Sequence, residues 1–389
     1  MQATPIFGCL TGIFSLSDVS KRILIVSNTA WSVSNFRLGL IKRLLRDGCS
    51  VMVAAPRDDS SVKLVEAGCE VVDIKLDNKG MNPVRDAGAL LQLIRLYRNL
   101  APSLVLHYTI KPVIYGGVAA RSLKIPYIST ITGLGTVFIK EGWVTRLVEW
   151  LYRISQKRAA RIFFQNSDDR LLFQRRRLVP EQATELVPGS GIDVGYFALN
   201  RYPSNGRAVR FLLIARMLRD KGVVEYVEAA RIVKQRYPET RFQLLGEAGA
   251  ENQTAIHLEE IEQWVDAGYV EYLGTTDDVR GYITQADCVV LPSYREGMPR
   301  TLLEAASMGR PIVTTDVPGC REVVSDGVNG YLCKVKSAES LADSIKRMLS
   351  ASETEREQMG LRGRELVLSR FDVRIVVNQY MAVINRYIG

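Results

Sequence analysis

Short apolar runs alternate with longer amphipathic stretches along most of the chain. In the first half, 22–27, 50–55, 70–76, 104–108, 127–130, 161–165 and 184–187 read as strands. ILIV and LVL are apolar at every position rather than every second one, which implies strands buried on both faces. Between them, 36–46, 84–99, 144–158 and 168–178 carry a helical period. Such alternation predicts βαβ units and a parallel sheet. The pattern breaks at 188–205, PGSGIDVGYFALNRYPSN, whose Gly, Pro and Ser content suits a hinge. It then restarts, with strands expected at 209–215, 241–245, 270–273, 288–291 and 312–314 and helices at 223–236, 257–266, 301–308 and 338–349. A last helix is expected at 373–387. The fold class is α/β, as two Rossmann-like doubly wound domains facing a central cleft. The reading divides the chain into a tail at 1–20, domains at 21–190 and 191–371, and a terminal helix at 372–389. Ligands of such sheets sit at the carboxyl ends of the strands.

A chain of 389 residues, 47% hydrophobic and 24% charged, has a full core, which excludes disordered, collagenous and disulfide-stapled classes. Six cysteines without a C-x-x-C pair, and two histidines, give no zinc spacing and read as reduced thiols of a cytoplasmic protein. No apolar run reaches the length of a membrane span. Residues 5–16 are apolar but follow no basic residue, so a signal peptide is not expected; a tail, a weak membrane contact or a misassigned start codon fits. The net charge of +9 is unevenly spread: residues 1–195 hold 26 Lys and Arg against 16 Asp and Glu, residues 196–389 hold 25 against 26. One half therefore faces a phosphate-rich surface, either nucleic acid or an anionic membrane.

Three segments of the second half carry candidate chemistry. In 293–309, SYREGMPRTLLEAASMG, Glu296 and Glu304 are spaced E-x7-E across the start of a helix. Pro299 suits its first turn, and the backbone N–H groups of Arg300, Thr301 and Leu302 would point out of its N-terminus, an anion site. In 215–222, ARMLRDKG, Arg216 and Lys221 flank a strand-to-helix loop and suit a diphosphate. In 245–249, LGEAG, the glycines allow close backbone approach to a ligand. Each alone also reads as a helix cap, a solvated loop or a plain turn.

Together, at strand ends of one sheet, they resemble the glycosyltransferases of family 4, over about residues 21–388. The resemblance implies GT-B architecture, with the C-terminal helix returning to the first domain, and a retaining transfer from a nucleotide sugar. It implies that Arg216 and Lys221 hold and stabilise the leaving diphosphate, that Glu296 binds the sugar hydroxyls and that Glu304 accepts from the ribose. Backbone at Gly297, Met298, Pro299, Arg300 and Thr301 would contact sugar or β-phosphate. Gly246 and Glu247 would line the donor, and Leu273 and Gly274 would border a uracil. The nucleophile would be the acceptor hydroxyl, attacking from the face the diphosphate leaves, with a phosphate oxygen as base. No cofactor or metal is implied, and the chain has no D-x-D.

In the first half, HYTIKPVIYGG (107–117) and TGLGT (132–136) resemble a subgroup that adds GalNAc, GlcNAc or similar sugars to polyprenyl-diphosphate-linked saccharides. That implies His107 near the reacting sugar as a catalytic residue, and Asn35, Arg37, Lys111, Thr132 and Gly133 on the acceptor side. The loop after the first strand, from Asn28, lacks the Gly-Gly pair of many members. Residues 141–161, EGWVTRLVEWLYRISQKRAAR, would set Trp143, Leu147, Trp150 and Leu151 on one face with Arg146, Arg153, Lys157, Arg158 and Arg161 around it, a helix for an anionic membrane or a core helix with a solvated basic face. Arg175–Arg177 extends this patch. The expected partners are thus a UDP-sugar, a polyprenyl-diphosphate-linked saccharide and the inner face of the cytoplasmic membrane, without nucleic acid. A UDP-sugar 2-epimerase shares the architecture but needs acid/base groups not evident here, and a nucleic-acid-binding protein would need a recognition motif the chain lacks.

Overall fold

The computed structural model describes residues 21–76, 82–134, 138, 142–203, 206–250, 252 and 254–388. The expected tail at 1–20, Cys9 and most of 135–141 lie outside the described residues. The first sheet comprises β1 (Arg22–Val26), β2 (Ser50–Ala55), β3 (Glu70–Asp73), β4 (Leu104–Tyr108), β5 (Tyr127–Ile131), β6 (Arg161–Phe164) and β7 (Thr184–Leu186). Its order is β3-β2-β1-β4-β5-β6-β7, with every pairing parallel. Its helices are α1 (Ala30–Phe36), α2 (Leu38–Arg46), α3 (Ser61–Glu66), α4 (Pro83–Leu100), α5 (Gly117–Ser122), α6 (Trp143–Gln156) and α7 (Ser167–Arg175). A π-helical turn, Pro112–Gly116, leads into α5.

The second sheet comprises β8 (Arg210–Ile214), β9 (Arg241–Leu245), β10 (Glu271–Tyr272), β11 (Cys288–Leu291), β12 (Ile312–Thr315) and β13 (Gly330–Cys333), in the order β10-β9-β8-β11-β12-β13 and again parallel. Its helices are α8 (Val223–Lys234), α9 (Leu258–Asp266), α10 (Arg280–Gln285), α11 (Arg300–Ser307), α12 (Ala338–Ser350) and α13 (Glu353–Arg370), followed by α14 (Val373–Ile388). In each sheet the strand order reverses at one point, between β1 and β4 and between β8 and β11. A crevice opens at such points beyond the strand ends.

Ile23, Leu24, Ile25 and Val26 are all fully buried, two toward each helix layer, as an unbroken apolar run requires. Val376, Tyr380, Met381 and Ile384 of α14 join the core of the first domain, and Tyr380 Oη lies 2.7 Å from Thr130 Oγ1 of β5. The last helix therefore crosses back to the first domain, as the family resemblance implied.

The helix expected at 36–46 is α2, which starts at Leu38 because Arg37 leaves helical geometry, and a separate helix, α1, precedes it where none was expected. Strand β13 and helix α13 were not expected. Gly330, a strand breaker by composition, opens β13 because a β-carbon there would sit 2.0 Å from Ile312 O. Helix α13 packs through glycine: a β-carbon at Gly360 would meet Gly309 O at 2.0 Å. With so few apolar side chains on its buried face, its periodicity is weak.

Candidate active site

The site is built from loops that the sheet ends force together. After β8 the chain turns through 215–222 and enters α8 at Gly222, whose φ is +73°. A β-carbon there would lie 2.1 Å from Pro292 O, so this glycine lets the loop after β11 pass against the loop after β8. Lys221 is thereby delivered to Glu296: its Nζ stands 2.5 Å from Glu296 Oε1, with both side chains largely buried. Ser293 Oγ and the Tyr294 N–H donate to Asp220 O, at 3.2 and 2.9 Å, fixing the same two loops.

The loop after β9 closes the third side. Gly246 has a φ of +146° and passes so near β8 that a β-carbon would meet Ala215 O at 1.8 Å. Its N–H donates to Gly274 O at 2.8 Å, and Glu247 O accepts from the Met217 N–H at 2.8 Å. Gly246, Glu247, Gly274 and the neighbouring Leu273 are thus gathered beside Arg216. The Arg216 side chain is exposed and has no partner among the described residues.

At α11 the structure modifies the expectation. Pro299 is the N-cap, outside the first turn, and the Leu302 N–H turns back to Pro299 O at 3.2 Å. The N–H groups of Arg300 and Thr301 remain at the open end. Glu304 is buried and accepts from Arg300 Nε at 2.8 Å. Burial raises the Glu304 carboxyl above its usual range, opposed by the Arg300 charge. The same Arg300 reaches the first domain, donating to Asn35 O and lying over the Phe36 ring at 5.2 Å.

The first domain meets this loop with backbone. A β-carbon at Gly297 would lie 2.1 Å from Thr132 O, and one at Gly133 would be 3.5 Å from Gly297 N. A β-carbon at Gly189 would be 2.6 Å from Met298 Cγ. Thr132, Gly133, Gly297 and Met298 therefore form one interdomain seam beside Glu296.

The other first-domain candidates are differently placed. His107 does not reach the cleft; its side chain turns into the helix layer and is fully buried. Its Nε2 lies 2.8 Å from Tyr97 Oη, and a β-carbon at Gly116 would press on the ring at 2.5 Å. Burial lowers its pKa to about 3, so it is neutral at physiological pH. Alternation along β4 is the reason: the strand ends at the cleft, but this position faces α4. Arg37 is buried, with its guanidinium 4.1 Å over the Tyr108 ring. Lys111 is paired with Asp86 at 2.9 Å. Asn35 is bonded through Nδ2 to Trp31 O at 2.9 Å. Between His107 and Lys111, Thr109 has a φ of +68°, which a β-branched residue seldom adopts.

On α6, Trp143, Leu147 and Trp150 are 75%, 39% and 54% exposed, an apolar stripe at i, i+4 and i+7 facing outward. Leu151 instead packs inward against the cluster around Val148 and Tyr152. Arg153 and Arg176 flank Glu149 at 3.6 and 2.6 Å. No described helix is long and apolar enough to cross a membrane.

Residues 208–351 match the family model described as glycosyl transferases group 1, and residues 22–166 match glycosyl transferase 4-like. The chain belongs to the group 1, family 4 glycosyltransferases. A Campylobacter jejuni relative, N,N'-diacetylbacillosaminyl-diphospho-undecaprenol alpha-1,3-N-acetylgalactosaminyltransferase, is 29% identical over 94% of this chain and 99% of its own. An Escherichia coli relative, UDP-Gal:alpha-D-GlcNAc-diphosphoundecaprenol alpha-1,3-galactosyltransferase, is 23% identical over 69% of this chain and 72% of its own. Anabaena HepE, crystallised with UDP and glucose, superposes with a TM-score of 0.77 at 17% identity, over 93% of this chain and 99% of that one, which identifies the GT-B fold. Both sheets and the returning helix agree with the expected architecture. Sequence reasoning missed three residues at the seam, Asn166, Asp169 and Arg295. Asn166 was legible only as a polar residue opening a helix, and Arg295 only as the neighbour of Glu296.

Proposed function

We propose that this enzyme moves an N-acetylhexosamine, with retention, from a UDP-sugar onto a saccharide carried on a polyprenyl diphosphate. The observation that carries the reading is the Lys221–Glu296 pair at the switch-point crevice, with exposed Arg216, which has no partner among the described residues, in the same loop as Lys221. Without donor, Lys221 and Glu296 neutralise each other. When the donor enters, its diphosphate takes Lys221 and Arg216, and a sugar hydroxyl takes Glu296. The acceptor oxygen bonds to the anomeric carbon while the bond from that carbon to the β-phosphate oxygen breaks. The electron pair leaves with the diphosphate, and a phosphate oxygen takes the acceptor's proton. Two cations and the N–H groups at the start of α11 meet the charge that develops there, so no metal is assigned to this step. Buried Glu304 suits the ribose hydroxyls, which would compete with Arg300 for it. Gly246, Glu247, Leu273 and Gly274 suit the uridine. Thr132, Gly133, Asn35 and Lys111 are assigned to the acceptor side.

The names of the Campylobacter and Escherichia relatives, both with undecaprenyl-diphosphate acceptors, support a lipid-linked acceptor. We also infer that α6 lays Trp143, Leu147 and Trp150 into an anionic membrane surface, with Arg146, Lys157 and Arg158 near the headgroups. The protein would thus work peripherally at the inner face of the cytoplasmic membrane. The site assignment is tested with Glu296→Gln, which keeps the shape and removes the charge. Transfer should fall by about a hundredfold or more while UDP affinity changes by less than about threefold. Near-normal turnover would remove Glu296 from the site.

A further inference from the structure

The loop that carries Glu296 is held from the other domain. Helix α7 begins after β6 with Asn166 as its N-cap; Asn166 Oδ1 accepts from the Asp169 N–H at 2.8 Å. The amide's other end does something a cap does not require. Its Nδ2 donates to Gly297 O at 3.0 Å and lies 3.5 Å from Glu296 O. Asp169, one turn on, is 1% exposed, pairs with the guanidinium of Arg295 and accepts from Asn166 Nδ2 at 3.1 Å. The residues on both sides of Glu296 are therefore gripped by α7, and the Glu296 carbonyl lies beside the same amide.

The surroundings leave the loop little freedom. A β-carbon at Gly297 would also sit 2.7 Å from Gln165 Oε1, and one at Gly319 would lie 2.6 Å from Glu296 O. A carboxylate that must meet one sugar hydroxyl gains from such restraint, because a displacement of about 1 Å can cost a hundredfold in rate.

We propose that Asn166 and Asp169 are positioning residues, which clamp the backbone around Glu296 from the first domain and make its placement depend on the domains being together. This rests on the assignment of Glu296 to the donor sugar. The two domains then share one catalytic geometry: the acceptor-side fold sets the donor-side carboxylate.

Three variants separate the clamp from plain stability. Asn166→Ser keeps an oxygen to cap α7 but removes the amide donor to Gly297. Arg295→Met removes the ion pair, and Arg295→Lys is the conservative control. UDP and UDP-N-acetylgalactosamine binding, transfer kinetics and hydrogen exchange of 293–299 are measured on the full chain. The clamp predicts that Asn166→Ser and Arg295→Met lower kcat by about tenfold, leave UDP affinity within about twofold and erase the extra affinity of the sugar nucleotide over UDP. Amides of 293–299 should exchange faster in both, and Arg295→Lys should restore most of each property. Unchanged exchange and kcat in Asn166→Ser would overturn the proposal, as would UDP affinity falling in step with kcat. If the wild type neither binds nor turns over any nucleotide sugar, the functional reading fails, and the exchange data still decide whether the clamp exists.

Discussion

At the scale of single residues, the site depends on glycines as much as on charges. Gly222 and Gly246 let three loops run within van der Waals range, and Gly297 lets the donor loop touch Thr132 O. Charge recognition then needs few groups, because Lys221, Glu296 and Arg216 are delivered by backbone. Gly297→Ala tests this: its new methyl must move the seam apart, so transfer should drop by about tenfold or more while UDP affinity changes little. Initial rates and calorimetry on the same variant decide it; an unchanged rate would mean the seam is open during turnover. Glu296, Glu304, Arg216 and Lys221 were legible because local spacing after a strand fixes where they go. Asn166, Asp169 and Arg295 were not, since their partners are more than a hundred residues away and no local pattern encodes a pair across a cleft.

At the scale of elements, apolar runs revealed most strands because a doubly covered parallel sheet demands them. Strand β13 escaped because close approach to β12 requires Gly330, and α13 escaped because it packs through small residues. His107 shows the limit of strand-end reasoning, since which layer a side chain enters depends on the strand's alternation. The consequence is measurable. Unfolded His107 titrates near 6.5, and the native residue resists protonation down to about 3. Between those values the unfolded chain binds the extra proton, so stability is complete above 6.5 and is lost as pH falls. Between pH 7 and pH 5 this residue should account for about 2 kcal/mol of lost stability. Urea unfolding of wild type and His107→Gln at both pH values checks it: the variant's loss should be smaller by that amount, and equal losses would show that His107 is already charged or accessible.

At the scale of the whole molecule, the first domain's surplus of positive charge sits with an outward apolar stripe. Trp143 and Trp150 are costly to leave in water and well suited to a membrane interface. Trp143→Ser with Trp150→Ser should lower partition onto anionic liposomes by about tenfold and leave transfer to a short water-soluble acceptor near normal. Sedimentation with liposomes reads the first and an acceptor assay the second; unchanged sedimentation would make α6 an ordinary solvated helix. The two domains are also tied by α14, which joins the first core, while Arg310, fully buried, holds the hinge to the second domain by donating to Asn200 O and Arg201 O at 3.2 and 2.9 Å. Substrate identity is the part least legible from motifs, because one hydroxyl or acetamido group is distinguished by pocket shape. The central claim is tested most directly by offering the enzyme UDP-, GDP- and dTDP-sugars with a polyprenyl-diphosphate-linked saccharide and weighing the product. The account predicts a product heavier by one N-acetylhexosamine residue, formed from a UDP donor and lost in Glu296→Gln. Transfer only from a GDP- or dTDP-sugar, or no lipid-linked product from any donor, would contradict it.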